Sequence, residues 1–115
     1  VALAYPTYAE QVRRGQRADA QTVLLEAAQF MQRVYAAKNS FEGAVLPDGY
    51  KFAPRDSSAT TRRYDVTVSV GADNRSFVLA ATPVIADTKC GTLTMTDTGK
   101  KGLRSATSTV AECWR

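Results

Sequence analysis

The sequence RYDVTVSV at residues 63–70 alternates apolar and polar side chains along its whole length. The apolar members share one face and are Tyr64, Val66, Val68 and Val70. A period of two is typical of a β-strand that has one buried and one exposed face. This stretch therefore predicts a half-buried strand, and the rest of the fold can be worked out from it.

A second strand is expected soon after the first. The next four residues, GADN, predict a hairpin turn, and residues 76–82 predict the returning strand. GTLTMT at residues 91–96 alternates again, the turn formers DTGK follow it, and residues 102–105 can pair back. The sequence therefore predicts a four-stranded antiparallel sheet within residues 62–105.

A long helix precedes the sheet. From residue 5 to residue 38 the chain is rich in Ala, Gln, Glu, Arg and Leu, with Gly15 and Pro6 as the exceptions. About 34 residues in a helix span roughly 50 Å, whereas a compact domain of this size has a radius of gyration near 13 Å. We expect a helix over residues 1–38 whose second half packs on the sheet and whose first half needs another partner.

One face of this helix is predicted to form the core with the sheet. Its predicted members are Ala20, Val23, Ala27, Phe30, Met31 and Val34. Residues 39–61 are rich in turn formers and predict a loop. Residues 106–115 predict an irregular tail. The expected fold is an α+β roll that occupies residues 1–115 as one domain.

Composition excludes most kinds of enzyme. The 115 residues contain no histidine, which removes the usual general base near neutral pH and the commonest metal ligand. No glycine-rich phosphate loop and no Gly-x-Ser-x-Gly motif occurs, so we expect no catalytic residue, metal, cofactor or small-molecule substrate. A net charge of +4 permits a nucleic-acid partner without requiring one.

The two cysteines, Cys90 and Cys113, are too few for a thiolate zinc site and too far apart for a Cys-x-x-Cys redox pair. A structural disulfide is the favoured interpretation, and it implies an oxidising compartment such as a periplasm or the cell exterior. Two unrelated buried thiols are the alternative. No run of apolar residues is long enough to cross a bilayer, although Val1–Ala4 is apolar and is expected to be the end of a longer segment.

These features together resemble the type IV pilin family, and within it the minor pilins of the PilE class. The resemblance rests on the entry at residues 4–8, the helix, the antiparallel sheet, and the sequence CGTLTM from Cys90 followed by Cys113-Trp114. It implies that Cys90 and Cys113 form the disulfide that bounds the variable region Gly91–Glu112. It also implies a preceding hydrophobic half-helix, with Pro6 as a kink inside one continuous helix.

The resemblance implies a non-enzymatic minor pilin, incorporated in a type IV pilus or priming its assembly, that serves adhesion, twitching motility and DNA uptake. The implied partners are other major and minor pilin subunits, and the inner membrane through the hydrophobic segment. The implied location is the bacterial inner membrane and periplasm before assembly and the extracellular pilus afterwards. A type II secretion pseudopilin fits less well, because Asp97 and Glu112 alone supply carboxylates for a calcium loop.

A DNA-binding competence pilin, acting as a DNA-uptake receptor, is the alternative function. The candidate phosphate-binding side chains are Arg62, Arg63, Lys100, Lys101, Arg104 and Arg115. The competing interpretation is that these are solvated charges that protect a sheet edge. Arg13, Arg14 and Arg17 lie three to seven residues from Glu10, and we expect them to form filament ion pairs or a solvated helix face.

Overall fold

The first element of the computed structural model is a single long helix, α1, which runs over Ala4–Lys38. The structure describes residues 4–54, 57, 58, 60–85 and 87–114. The helix ends where Asn39 adopts a left-handed φ of 56° and its N–H donates to the Tyr35 carbonyl at 2.7 Å. The domain measures 58 × 28 × 18 Å, so the helix of 35 residues sets its longest dimension.

An antiparallel sheet covers one face of α1, and its spatial order follows the chain order. The strands are β1 Phe52–Ala53, β2 Tyr64–Val70, β3 Phe77–Pro83, β4 Thr92–Thr96 and β5 Lys101–Arg104. A 3-10 turn at Asp48–Tyr50 precedes β1, and a short helix, α2, spans Val110–Cys113. The predicted α+β class, with a long helix on an antiparallel meander, is confirmed.

The sheet has five strands rather than the four that the sequence predicts. The additional strand, β1, lies inside the segment predicted as a loop and pairs Phe52 with Asp65 and Ala53 with Tyr64. It is held by hydrogen bonds from the Arg63 N–H to the Ala53 carbonyl at 2.7 Å and from the Val66 N–H to the Lys51 carbonyl at 2.8 Å. A strand of two residues is too short to show an alternating pattern, so the sequence carries no signal for it.

The C-terminal tail is also more regular than predicted, because residues 110–113 form α2. Thr109 caps this helix, and its hydroxyl accepts a hydrogen bond from the Glu112 N–H at 3.3 Å.

The core lies between α1 and the sheet. Ala20, Val23, Ala27 and Met31 are buried there, whereas Phe30 packs at its border and Val34 is half-buried. Leu24, which the predicted set omits, is fully buried. At about 100° per residue, the face that α1 buries is rotated by roughly 30° from the predicted one, toward Leu24 and Arg17.

Candidate nucleic-acid interface

The outer edge of β5 carries three of the predicted basic residues. Lys100 immediately precedes the strand, Lys101 begins it and Arg104 ends it, and all three side chains are exposed. We call Lys100, Lys101 and Arg104 the basic edge. Because β5 is the last strand of the sheet and rises about 3.4 Å per residue, these residues are spread over about 14 Å of an open strand edge.

The positive charge of the basic edge is not neutralised locally. Within the part of the chain that the structure describes, none of the three side chains forms an ion pair with a carboxylate. Asp97 lies in the same hairpin, and its backbone N–H donates to the Phe77 carbonyl at 3.1 Å. Exposed lysine and arginine side chains without acidic partners are suited to contact phosphate groups.

Lys101 and Trp114 are in contact at this edge. The Lys101 Nζ lies 5.4 Å from the centre of the Trp114 ring, and the Trp114 Nε1–H donates to the Gly102 carbonyl at 3.0 Å. Only 8% of the Trp114 surface is exposed. The ring therefore packs against β5 with the Lys101 ammonium over it, which is a cation–π arrangement.

A disulfide joins Cys90 to Cys113 across 23 positions, and both residues are buried. It connects the residue before Gly91 and β4 to the end of α2. Gly91 has a left-handed φ of +59°, and a Cβ there would lie 2.1 Å from the Arg104 carbonyl oxygen. A glycine is needed at this position because the backbone of β5 ends directly against it. The disulfide and this close contact together fix the C-terminal region against the sheet.

The remaining predicted basic residues lie elsewhere. Arg62 and Arg63 precede β2, which two intervening strands separate from β5, a distance of about 14 Å. Arg62 pairs with Asp65 and its guanidinium lies 5.6 Å from the centre of the Phe52 ring, while Arg63 is exposed. The structure therefore does not bring the predicted set into one stripe. Arg115 lies outside the described residues.

Arg75 is an exposed basic residue that the predicted set omits. It lies in the turn between β2 and β3, where the Gly71 N–H donates to the Ser76 carbonyl at 2.9 Å. The bond from Asp97 to Phe77 places this turn beside the hairpin that carries Lys100. In the sequence, Arg75 could have been recognised as the basic residue that directly follows the predicted hairpin turn GADN.

Arg17 departs from the expectation of a solvated helix face, because only 3% of its surface is exposed. Its Nε donates to Asp87 Oδ2 at 2.8 Å and its Nη2 to Asp87 Oδ1 at 3.1 Å. A third bond runs from Nη1 to Glu10 Oε1 at 2.8 Å. The guanidinium is thus paired with one buried and one partly exposed carboxylate, a forked geometry that arginine favours.

The Asp87 carboxylate also organises the segment that leads to the disulfide. Its Oδ1 accepts the N–H groups of Lys89 at 3.2 Å and Cys90 at 3.3 Å, and its carbonyl accepts the Gly91 N–H at 2.7 Å. Burial alone would raise the pKa of Asp87. The hydrogen bonds from Arg17 and from the Cys90 N–H, with the charge of Arg17, outweigh burial and hold that pKa below its usual value.

The pKa values of Glu10 and Tyr64, which lie near this pair, are also shifted. The hydrogen bond from Arg17 lowers the pKa of Glu10 despite the opposing effect of burial, and Lys89 assists from 3.4 Å. Burial, followed by the charge of Asp87, raises the pKa of the Tyr64 phenol to about 12. Arg17 and Asp87 therefore stay charged at neutral pH and connect α1 to the disulfide-bounded region.

The described residues contain one open apolar groove and no cluster of metal ligands. Across residues 4–54, 57, 58, 60–85 and 87–114, no group of three or more His, Cys, Asp or Glu side chains is placed to hold a metal ion. An open apolar groove of about 570 Å³ lies beside β1, between Val45 and Val68. No helix in the same ranges is both long enough and apolar enough to cross a membrane.

The comparisons with known proteins agree with one another. The family model described as "Type IV minor pilin ComP, DNA uptake sequence receptor" matches residues 6–94. The chain is similar to a type IV pilin from Shewanella oneidensis, with 29% identity and a TM-score of 0.56 over 76% of this chain and 88% of that one. It is also similar to the Neisseria meningitidis non-core minor pilin PilV, with 25% identity and a TM-score of 0.62 over 84% and 91% of the two chains. No curated protein sequence matches.

Proposed function

Since the chain belongs to the type IV minor pilin family described as ComP, DNA uptake sequence receptor, we propose that it binds double-stranded DNA at the basic edge. The observation that carries this proposal is the placement of Lys100, Lys101 and Arg104 along one open strand edge, with Lys101 on the face toward α1 and Arg104 on the opposite face, without acidic partners among the described residues. The match ends at residue 94, so the basic edge lies beyond the part of the chain that it covers. The assignment of DNA contacts to this edge therefore rests on the geometry.

The physical basis of binding is charge neutralisation along the DNA backbone. Each lysine or arginine that contacts a phosphate releases condensed counterions, so affinity falls as salt rises. Three phosphate contacts predict a slope of log K against log salt of about −2.7 for duplex DNA. Arg75, on the neighbouring turn, is placed to add a fourth contact. Phosphate contacts position the duplex and do not read its sequence.

The same proposal includes assembly into a pilus. The helix of 35 residues is longer than the sheet that it crosses, so its N-terminal half has surface available to neighbouring subunits. We propose that other pilin subunits pack there, that the subunit is held in the inner membrane before assembly, and that it is displayed on an extracellular pilus afterwards. Adhesion and twitching motility are the roles proposed beside DNA uptake. None of these steps needs a catalytic group.

The test is DNA binding by paired variants that remove the same charge from different places. Lys100→Gln with Arg104→Gln changes the basic edge, and Lys38→Gln with Arg33→Gln changes exposed residues near the end of α1. Fluorescence anisotropy of a labelled duplex measures the affinity of both pairs. We expect the first pair to weaken binding at least about tenfold and to reduce the salt slope by about 2, because each lost phosphate contact reduces it by about 1.

The control pair should change the affinity by less than about threefold, because it removes the same charge without changing a residue of the basic edge. Equal losses in the two pairs would show that net charge, rather than the basic edge, attracts DNA. Unchanged binding in the first pair would overturn the assignment.

A further inference from the structure

We propose that Trp114 is a positioning residue that holds the Lys101 ammonium in place for a DNA phosphate. This inference rests on the proposed function. It is carried by two contacts, the 5.4 Å approach of Lys101 Nζ to the ring centre and the 3.0 Å hydrogen bond from Trp114 Nε1 to the Gly102 carbonyl. The Trp114 indole thus donates a hydrogen bond to the β5 backbone through its N–H and contacts the Lys101 ammonium with its ring face.

Lys101 needs such support because of its place in the sheet. It pairs with Met95, a core residue, so its side chain leaves the sheet on the face that packs against α1. A lysine has four rotatable bonds and loses much of their freedom when its ammonium is fixed on a phosphate. Contact with the Trp114 ring removes part of that freedom before DNA arrives. The lysine is therefore pre-organised at the strand edge.

Trp114 can act in this way because it is itself firmly held. It follows Cys113, whose disulfide to Cys90 fixes it to the sheet. The Trp114 N–H donates to the Val110 carbonyl at 2.8 Å, which closes α2. The Gln21 amide on α1 donates to the Cys113 carbonyl at 2.6 Å. The indole is thus anchored through α1, α2 and the disulfide.

Direct stacking of Trp114 on a DNA base is the competing role. The indole is only 8% exposed and Lys101 lies over it, so its face is covered. Base stacking requires an open aromatic face. The arrangement favours positioning of the lysine over contact with a base.

The experiment compares Trp114→Leu and Trp114→Phe in wild-type and Lys101→Gln backgrounds, by anisotropy on the labelled duplex. Leucine removes the aromatic face, whereas phenylalanine keeps a six-membered aromatic ring and loses the five-membered ring with its N–H. We expect Trp114→Leu to weaken binding about two- to fivefold, the range that an exposed cation–π contact corresponds to. Trp114→Phe should recover most of that loss. In the Lys101→Gln background, Trp114→Leu should cause no further loss.

A second measurement, independent of DNA, is the chemical shift of the Lys101 side-chain protons. An aromatic ring beneath them should shift these resonances upfield in the wild type and in Trp114→Phe, and the shift should vanish in Trp114→Leu. Thermal unfolding of each variant checks that the domain is folded at the assay temperature.

Two results would overturn the positioning role while leaving the proposed function in place. They are an equal loss from Trp114→Leu in both backgrounds, and unshifted Lys101 resonances in the wild type. A wild-type domain that binds no DNA would overturn the proposed function and this inference together.

Discussion

Replacing Arg17 with methionine should strongly destabilise this domain. Methionine keeps most of the side-chain volume and removes the guanidinium that makes two bonds to Asp87 and one to Glu10. Asp87, 6% exposed, would then be a buried carboxylate that has lost both arginine hydrogen bonds and keeps only the more distant Arg13, whose Nη1 lies 3.8 Å from Oδ1, as a cationic neighbour among the described residues. Removing one member of a buried ion pair costs about 3–5 kcal/mol, a large part of the roughly 5–15 kcal/mol that holds a domain folded.

The assay is thermal and urea unfolding of wild type and variant at pH 7. At about 4 °C per kcal/mol for a domain of this size, the melting temperature of Arg17→Met should fall by about 12–20 °C. Glu10→Gln is the matched control, because the Glu10 side chain is 37% exposed and its loss should cost under about 1 kcal/mol. Arg17→Met combined with Asp87→Asn should recover part of the stability, since no carboxylate is then left buried and the asparagine Oδ1 can still accept the Lys89 and Cys90 N–H groups.

The pH dependence provides an independent check on the same pair. Because Asp87 has a folded pKa below its unfolded value, its contribution is complete above the unfolded pKa and is lost as pH falls through the folded pKa. In Arg17→Met, burial acts without the arginine and raises the pKa of Asp87, so the carboxyl protonates readily in acid. The stability gap between wild type and variant should therefore narrow below about pH 4. A gap under 1 kcal/mol at pH 7, or one that is constant with pH, would refute this reasoning.

Two further changes test how the C-terminal region is fixed. Cys113→Ser should cost about 3 kcal/mol and lower the melting temperature by on the order of 10 °C, because the disulfide restricts a segment of 23 positions in the unfolded chain; calorimetry that shows no change would contradict a stabilising disulfide. Gly91→Ala should destabilise more than Gly43→Ala by at least about 1 kcal/mol, since both have a positive φ but only Gly91 would place a Cβ against the Arg104 carbonyl; equal losses on urea unfolding would show that the backbone relieves the clash.

The longer strands and the long helix could be predicted because the repeat of their apolar residues is visible in consecutive positions of the sequence. β2 has seven residues and shows three and a half alternations, whereas β1 has two residues and shows none. β1 forms because Phe52 and Ala53 pair with the open edge of β2. This pairing exists only in the folded chain. A strand that forms only through such tertiary pairing cannot be predicted from the periodicity of the sequence.

The buried Arg17 could not be predicted for a related reason. A search for apolar residues on one helix face places any arginine on the solvent side. Asp87, the carboxylate that makes burial possible, lies 70 positions further along the chain. Arg17 and Asp87 meet only in the folded chain, and the residues next to each of them in the sequence do not indicate the pairing.

Part of the candidate interface could be predicted from the sequence. Lys100, Lys101 and Arg104 were recognisable as basic residues of one hairpin, and the structure places them on one edge strand. Their separation from Arg62 and Arg63 follows from the strand order, which places β3 and β4 between them. The contact between Lys101 and Trp114 joins residues 13 positions apart, and Trp114 lies in the segment predicted as an irregular tail, so its geometry had no sequence signal.

The most direct test of the central claim is the salt dependence of DNA binding by the wild-type domain. Anisotropy titrations of a labelled duplex between about 50 and 200 mM salt give the slope of log K against log salt. Three to four phosphate contacts predict a slope between about −2.7 and −3.6, with binding still measurable at the higher salt. A slope near zero, or binding that is absent throughout this range, would contradict the claim that the basic edge receives DNA.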